Sequence, residues 1–291
     1  MRYGIYYAYW EKEWGGDYEP YVERVARLGF DILEISCAGL AELPPEKIRA
    51  LAGAAKTHGI TISGGYGPKA SENIASPDPA VVANAFDFWS RTFDVLDKLG
   101  TTFVGGGLYS YWPVDYTRPF DKAEDRKRSV AGMQRLGELA GRHGITLGME
   151  ALNRFEGYLL NTAAEAVDYV KAVGLDNVKI LLDTFHMNIE EDSITDAIRA
   201  AGPYLGHFHV GEANRRPPRE GGRMDWLKIG DALRETGYDG TVVMEPFVLP
   251  GGQVGSDIKV WRAIAEDTSQ EGLDREAGRS VRFLRAAFAG K

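Results

Sequence analysis

The sequence has only one cysteine, Cys37, among its 291 residues. A single cysteine excludes an intramolecular disulfide and fits a reducing compartment. The opening MRYGIYYAYW lacks the basic region, apolar core and cleavage site of a signal peptide. No apolar run approaches the roughly 20 residues needed to cross a bilayer. We therefore expect a cytoplasmic protein that does not bind membranes.

The chain is also poor in positive charge. Its 34 Lys and Arg residues against 42 Asp and Glu residues give a net charge of -8. That balance argues against a nucleic-acid partner, which needs a cationic face. The segment after the first apolar run, Tyr7-Ala-Tyr-Trp-Glu-Lys, has no glycine cluster, so we expect no nucleotide cofactor.

Short apolar runs alternate with longer amphipathic runs along the whole chain. Several amphipathic runs end in a glycine, as in RLGF, THGI, KLGT, RHGI and AVGL, which is typical of helix ends. Eight such units without a break in composition predict an α/β fold, a (β/α)8 TIM barrel forming a single domain over 1–291. The predicted strands are Tyr3–Tyr9, Asp31–Cys37, Ile60–Tyr66, Thr102–Leu108, Ile145–Leu152, Val178–Asp183, Leu205–Val210 and Thr241–Phe247.

Several helical features can be placed as well. Ser76-Pro-Asp-Pro offers an N-cap, and Thr162 followed by Glu165 predicts a capping box. The last helix is expected from about Leu273 to Phe288. Three tryptophans lie in helix-like patterns and are expected to pack in the core: Trp89, Trp226 and Trp261.

Ionisable residues gather where this fold places its sites, at the carboxyl ends of strands. Strands five to eight end with Glu150, Asp183, His209 and Glu245, and the residue before each is apolar. Because alternate residues of a strand share a face, these four side chains should point to the barrel mouth. His207 shares the face of His209 one layer deeper, where we expect a supporting role.

Three carboxylates at one barrel mouth would repel each other in a desolvated site, and a divalent cation removes that difficulty. Three carboxylates with one imidazole suit Mn²⁺ or Co²⁺, with Mg²⁺ as a further candidate, better than a structural zinc. It is also possible for each acid to cap a helix or join an ion pair. Glu34, in the middle of the second strand, fits that description as a buried, paired charge.

Seven stretches around these residues match the sequence motifs of one known family: GIYYAYWEKEW, FDILEIS, GLYSYWPVDY, GMEALNRFE, LDTFHMNIEE, GHFHVGEANRR and GTVVMEPF. An eighth, GGQVGSDIKVWR, follows the last strand. In them the chain resembles the D-tagatose 3-epimerase and D-psicose (D-allulose) 3-epimerase family of xylose-isomerase-like barrels. The resemblance covers nearly the whole chain.

The resemblance implies roles for individual residues. Glu150, Asp183, His209 and Glu245 would hold the metal, and Glu150 and Glu245 would also be the acid–base pair. The substrate contacts that it implies are Glu156, His186 and Arg215 around C1 and C2, the aromatic wall Tyr6, Trp14, Trp112 and Phe247, and the strand-end glycines Gly65, Gly105 and Gly107. The resemblance assigns no role to the basic loop 213–224, ANRRPPREGGRM, as a whole.

The implied reaction is inversion at C3 of a free ketohexose through an enediolate, as between D-psicose and D-fructose. D-tagatose/D-sorbose and L-ribulose-type sugars stay open as substrates. The family also implies a homodimer or homotetramer. An aldose–ketose isomerase could use the same metal site. Two different classes of protein also stay open. One is a repair endonuclease of the same barrel superfamily, which the few histidines and the acidic charge disfavour, and the second is a sugar-binding protein without catalysis.

Overall fold

A computed structural model describes residues 1–290 and shows a closed barrel of eight parallel strands. Each strand pairs with its sequence neighbours, and β1 closes the ring on β8, where Gly4 lies opposite Val243. The predicted fold class is confirmed. The strands are β1 (Arg2–Tyr6), β2 (Ile32–Ser36), β3 (Thr61–Gly65), β4 (Phe103–Gly106), β5 (Thr146–Glu150), β6 (Val178–Asp183), β7 (Leu205–Val210) and β8 (Thr241–Met244).

Ten α-helices lie between and after these strands within residues 1–290. They are α1 (Glu19–Leu28), α2 (Pro45–His58), α3 (Pro79–Leu99), α4 (Lys122–Arg142), α5 (Ala163–Val173), α6 (Thr184–Glu190), α7 (Ile194–Ala201), α8 (Trp226–Glu235), α9 (Gly252–Ile258) and α10 (Gln270–Phe288). The predicted helix-ending glycines adopt left-handed backbone conformations, with φ of 95° at Gly29 and 66° at Gly59. None of the described helices is both long and apolar enough to cross a membrane.

All eight predicted strands exist, but several end earlier than predicted. The first ends at Tyr6, and Tyr7–Trp10 forms a 3-10 helix whose four residues are all buried. The last ends at Met244 rather than Phe247. Apolar character continues past β1, β5 and β8 because the residues that follow these strands are buried too. Hydrophobicity alone therefore could not locate the strand ends.

The helix ends differ from the expectations in detail. Asp78, rather than Ser76, caps α3, and its carboxylate accepts a hydrogen bond from the Ala80 amide at 2.8 Å. Thr162 caps α5 as expected, but the Glu165 carboxylate accepts from the Asn161 amide at 2.7 Å. Only half of the predicted capping box therefore forms.

The three helix-like tryptophans divide into two groups. Trp89 in α3 and Trp226 in α8 are buried, as predicted. The prediction for Trp261 is wrong, because it follows α9 in a loop and is 73% exposed. Lys259, with φ of 65°, ends α9 two residues before Trp261, so the tryptophan is not on a helix face.

A layer of apolar side chains fills the barrel beneath the strand ends. The Phe103 ring stacks on His207 with ring centroids 4.3 Å apart, and a Cβ at Gly148 would lie 2.3 Å from that ring. A Cβ at Gly105 would lie 2.5 Å from the Leu181 side chain. Gly105 therefore makes room for core packing, whatever its part in ligand approach. The strand-end side chains thus stand on a close-packed floor.

Candidate active site

The carboxyl ends of β5 to β8 bring Glu150, Asp183, His209 and Glu245 together, with one possible ligand atom from each lying within 4.8 Å of the others. His209 Nδ1 is 3.8 Å from Glu150 Oε1 and 3.8 Å from Glu245 Oε1. Strand alternation aims all four into the barrel mouth. The structure therefore forms the cluster expected from the sequence, on four consecutive strands.

Crowded, buried charges shift the acidity of this cluster. Burial, together with the Glu245 carboxylate, raises the pKa of Glu150 well above its ordinary value. Burial likewise raises the pKa of Glu245, to about 7. Asp183 differs, because the Arg215 and histidine charges outweigh its burial and lower its pKa. Two of the three acids are therefore hard to ionise unless a further positive charge is present.

The cluster fits a divalent cation on three observations of the structure. Glu150 Oε1 and His209 Nδ1 are buried without a hydrogen-bond partner, and buried polar atoms of this kind are costly. Both atoms belong to residues of the cluster, and they lie 3.8 Å apart. The donor set of three carboxylates and one imidazole suits Mn²⁺, Co²⁺ or Mg²⁺.

Arg215 is the nearest positive charge of fixed sign. It is 4% exposed, and its Nη1 donates to Asp183 Oδ2 at 3.0 Å and to Glu245 Oε2 at 2.8 Å. Its guanidinium carbon also lies 3.9 Å from the centre of the Phe185 ring. Its φ of 64° is unusual for a residue with a side chain, and such conformations concentrate at functional sites. Phe247 helps to hold this backbone, because its amide donates to the Arg215 carbonyl at 3.0 Å.

Behind His209 lies a second buried cluster, made of Glu34, His207 and His209. His209 Nε2 is 2.8 Å from Glu34 Oε1, and His207 Nε2 is 3.2 Å from Glu34 Oε2. Ser63 Oγ also donates to Glu34 Oε2, at 2.8 Å. The two histidines outweigh burial and lower the pKa of Glu34 far below its ordinary value. Glu34 is therefore the buried, paired charge that the sequence led us to expect.

His186 projects into the site from α6, where it is 1% exposed. Its Nε2 lies 3.6 Å from Glu150 Oε1, and burial lowers its pKa below the ordinary value. The other ring nitrogen, Nδ1, contacts Asn153, whose Nδ2 also donates to Glu156 Oε1 at 3.0 Å. Asn153 thus connects two of the expected substrate residues.

A cavity of about 630 Å³ opens above the cluster, a size common for small-molecule sites. Its lining includes Glu150, His209 and Glu245 and every substrate residue implied by the resemblance: Tyr6, Trp14, Gly65, Gly105, Gly107, Trp112, Glu156, His186, Arg215 and Phe247. Two carboxylates from β5 and β8 thus face the same space as the His186 and Arg215 donors. That arrangement suits proton transfer at a carbon beside a polar group.

One wall of the cavity is aromatic; Tyr6 ends β1, and the other three residues of this wall lie in loops. Trp14 packs edge-on against Trp112 and Phe247, with ring centroids 6.3 Å and 6.0 Å apart. Trp14 Nε1 donates to Asp257 Oδ2, in α9, at 2.8 Å. The wall is therefore fixed from behind by a residue more than 240 positions away in the sequence.

Two residues that hold predicted site residues in place had no role in the sequence-based expectations, Asn153 and Asp257. Asn153 had a weak signal, since it is a polar residue just after β5 and three positions before Glu156. Asp257 had none, because its contact with Trp14 joins the first and last loops of the barrel. The basic loop 213–224 supplies one cavity residue, Arg215, whose neighbour Arg216 turns away to pair with Glu276 at 3.0 Å.

Residues 22–273 match the family model of the xylose isomerase-like TIM barrel. The chain is 52% identical to D-psicose 3-epimerase of Ruminiclostridium cellulolyticum, over 98% of this chain and 97% of that protein. It is 49% identical to D-psicose 3-epimerase of Agrobacterium fabrum, with all of both chains covered.

Solved structures agree with these similarities. A crystal structure of D-psicose 3-epimerase in the presence of D-fructose superposes with a TM-score of 0.97 at 49% identity, covering 100% of both chains. The structure of an L-ribulose 3-epimerase superposes with a TM-score of 0.87 at 29% identity, covering 99% of this chain and 95% of the other.

Proposed function

The chain belongs to the xylose isomerase-like TIM barrel family and is a carbohydrate epimerase related to the D-psicose 3-epimerases, and from that premise we propose its substrate and mechanism. The proposed reaction inverts C3 of a free ketohexose and interconverts D-psicose and D-fructose. It depends on one divalent cation and needs no nucleotide cofactor.

The proposed cation ligands are Glu150, Asp183, His209 and Glu245, whose donor atoms cluster within 4.8 Å. A divalent cation there supplies Lewis acidity, which stabilises negative charge developing on sugar oxygens beside the reacting carbon. Mn²⁺ or Co²⁺ fits the donor set best, with Mg²⁺ as a further candidate.

Glu150 and Glu245 carry the proton in the proposed mechanism. One carboxylate removes the C3 proton and leaves an enediolate across C2 and C3. The other glutamate, protonated, delivers a proton to the opposite face of C3, which inverts it. The two residues come from β5 and β8, three strands apart round the barrel, so they approach the cavity from different directions. Their raised pKa values suit groups that must exchange protons near neutral pH.

The remaining residues position the sugar. His186 and Arg215 donate hydrogen bonds to oxygens around C1 and C2, where negative charge develops. Glu156, held by Asn153, accepts from a hydroxyl in the same region. The aromatic wall covers the far end of the sugar and excludes water. Gly65 and Gly107 leave room for the sugar beside the strands.

The observation that carries this proposal is that two glutamates face one cavity in a chain about 50% identical to D-psicose 3-epimerases. A sugar-binding protein would not need two such carboxylates beside the same space. An aldose–ketose isomerase would need its proton transfer at C1 and C2 instead.

The test is product analysis after incubation with D-psicose, using chelator-treated protein with and without added Mn²⁺ or Co²⁺. We expect D-fructose only when the cation is present. In D₂O the product should carry deuterium at C3, because the glutamate proton exchanges with solvent. Aldose product, or deuterium at C1 alone, would establish the isomerase instead, and binding without turnover would establish a sugar-binding protein.

A further inference from the structure

We propose that Glu34 and Asn153 are positioning residues that fix which nitrogen of each site histidine carries the hydrogen, so that His209 faces the cation with a lone pair and His186 faces the sugar with an N–H. This inference deepens the proposed function and rests on it for the identity of cation and sugar. Neither Glu34 nor Asn153 lines the cavity. Each would act through the histidine that it contacts.

The tautomer of His209 is fixed by the Glu34 carboxylate. Glu34 Oε1 lies 2.8 Å from His209 Nε2, and an ionised carboxylate can only accept a hydrogen bond. Nε2 therefore carries a hydrogen. In neutral His209 the lone pair is then on Nδ1. This nitrogen lies 3.8 Å from Glu150 Oε1 and 3.8 Å from Glu245 Oε1 and has no hydrogen-bond partner. A carboxylate behind a metal-binding imidazole is a recurrent arrangement that fixes ring orientation and raises basicity.

The tautomer of His186 is fixed by two hydrogen-bond donors that contact its Nδ1 atom. The Asn153 backbone amide, which can only donate, lies 3.2 Å from His186 Nδ1. Asn153 Nδ2 lies 2.8 Å from the same atom. The orientation of this side-chain amide follows from its other bonds, because Asn153 Oδ1 accepts from the Phe155 amide at 2.9 Å. His186 Nδ1 therefore accepts, and its Nε2 carries the hydrogen.

One contact competes with this assignment. Arg215 Nη2, also a donor, lies 3.4 Å from His186 Nε2. The two contacts at Nδ1 are shorter, and Glu150 Oε1 lies 3.6 Å from Nε2 on the acceptor side. The balance places the hydrogen on Nε2, where it points into the cavity.

His186 and His209 therefore have different roles, although their imidazole rings are chemically identical. Both carry the hydrogen on Nε2, but they present opposite nitrogens to the site. The His209 lone pair, which faces the cluster, can bind a cation. The His186 N–H, which faces the cavity, can donate a hydrogen bond to a sugar oxygen. Moving the hydrogen of either ring would block one of these tasks while leaving the residues themselves unchanged.

The first experiment is ¹⁵N NMR of the full-length protein labelled with ¹⁵N-histidine and loaded with diamagnetic Mg²⁺. Signals are assigned with His186→Gln and His209→Gln. We expect a protonated Nε2 and an unprotonated Nδ1 for both rings, with Nδ1 of His209 alone shifted by Mg²⁺ addition. A protonated Nδ1 on His186, or Mg²⁺ acting on Nε2 of His209, would overturn the inference. This readout needs no turnover, so it stands apart from the test of the reaction.

The second experiment removes each positioning group. Glu34→Gln should weaken Mn²⁺ binding, measured by electron paramagnetic resonance, by about 10- to 100-fold. The matched control, Ser63→Ala, removes a hydrogen bond to Glu34 Oε2 and leaves Oε1, which faces His209, in place, so it should lower affinity much less than Glu34→Gln does. Equal losses in the two variants would show that Glu34 has only a structural role.

Asn153→Asp places an acceptor against His186 Nδ1 and should move the hydrogen to that atom. We expect the ¹⁵N signals to report a protonated Nδ1 and kcat to fall by about 10²-fold, while Mn²⁺ affinity stays near that of the wild type. Glu156→Gln is the control for the altered charge beside Asn153, and it should leave the His186 tautomer unchanged. An unchanged tautomer in Asn153→Asp, or the same change in Glu156→Gln, would refute the role of Asn153.

Discussion

The two sides of the cavity are built by different means. The charged side comes from strand ends, where Glu150, Asp183 and His209 are buried and stand on the packed interior of the barrel. The aromatic side comes mostly from loops, where Trp14 is only partly buried and donates a hydrogen bond to Asp257. Side chains on strands are held more precisely than those on loops.

The difference indicates how the fold divides its tasks. The proposed proton transfer needs atoms fixed to within a fraction of an ångström, and strand ends can supply that precision. Selection among similar sugars needs a surface that can vary without disturbing the chemistry, and loops supply it. Substitutions on the charged side should therefore change kcat, and those on the aromatic side should change KM.

The largest expected effect is at the two glutamates. Glu150→Gln and Glu245→Gln should each lower kcat by about 10²- to 10⁴-fold in excess Mn²⁺, because proton transfer loses its acid or base. Steady-state kinetics with D-psicose measures the loss. Glu235→Gln, on the surface in α8, is the matched control and should keep wild-type kcat. Wild-type turnover in either site variant would contradict the proposed mechanism.

Besides removing a proposed contact with the sugar, Arg215→Gln should lower stability when no cation is bound. It leaves the buried Asp183 and Glu245 without their guanidinium partner, a loss of about 3–5 kcal/mol in the free energy of unfolding. Mn²⁺ should recover part of that loss by binding the native state. Urea unfolding in chelator and in Mn²⁺ measures both quantities.

The control for this prediction is Arg199→Gln, which breaks two surface ion pairs, with Asp196 and Glu235. It should leave unfolding nearly unchanged, with or without Mn²⁺. If Arg215→Gln were as mild as Arg199→Gln in chelator, the charged side would not depend on Arg215 for its stability.

On the aromatic side, Asp257→Leu should raise KM for D-psicose by about tenfold with kcat little changed, because Trp14 loses its acceptor. Asp257→Asn is the matched control, since its side-chain oxygen can still accept the hydrogen bond from Trp14 Nε1. It should leave KM within about twofold. A fall in kcat equal to the rise in KM would mean that the two sides are not independent.

The smallest effect is expected at Trp261, which is aromatic but belongs to neither side. It is 73% exposed, so Trp261→Ser should change the free energy of unfolding by less than about 0.5 kcal/mol. Thermal unfolding and steady-state kinetics with D-psicose should both match the wild type. A change in KM would extend the aromatic side beyond the residues that line the cavity.

The same contrast explains what the sequence could predict. Glu150, Asp183, His209 and Glu245 follow from strand order and alternation, because both are periodic and local. Glu34 could be recognised as a buried charge, but its partner His209 lies 175 residues away and leaves no local trace. Asp257 and the exposure of Trp261 depend on how loops fold over the barrel, which no periodicity encodes. The ends of β1 and β8 were placed too late for the same reason, whereas β6 and β7 were predicted with the bounds that the structure shows.

The bond between Trp14 and Asp257 has a consequence for how the enzyme is made. The Lys12 carbonyl also accepts from the Val254 amide at 2.9 Å, so the first loop is held by the last. During synthesis the amino-terminal part of a chain emerges first. Trp14 must therefore wait for more than 240 further residues before its acceptor leaves the ribosome. Nascent chains can assemble early strands and helices, but this part of the cavity wall is complete only when β8 has closed the barrel on β1 and the last loop has folded.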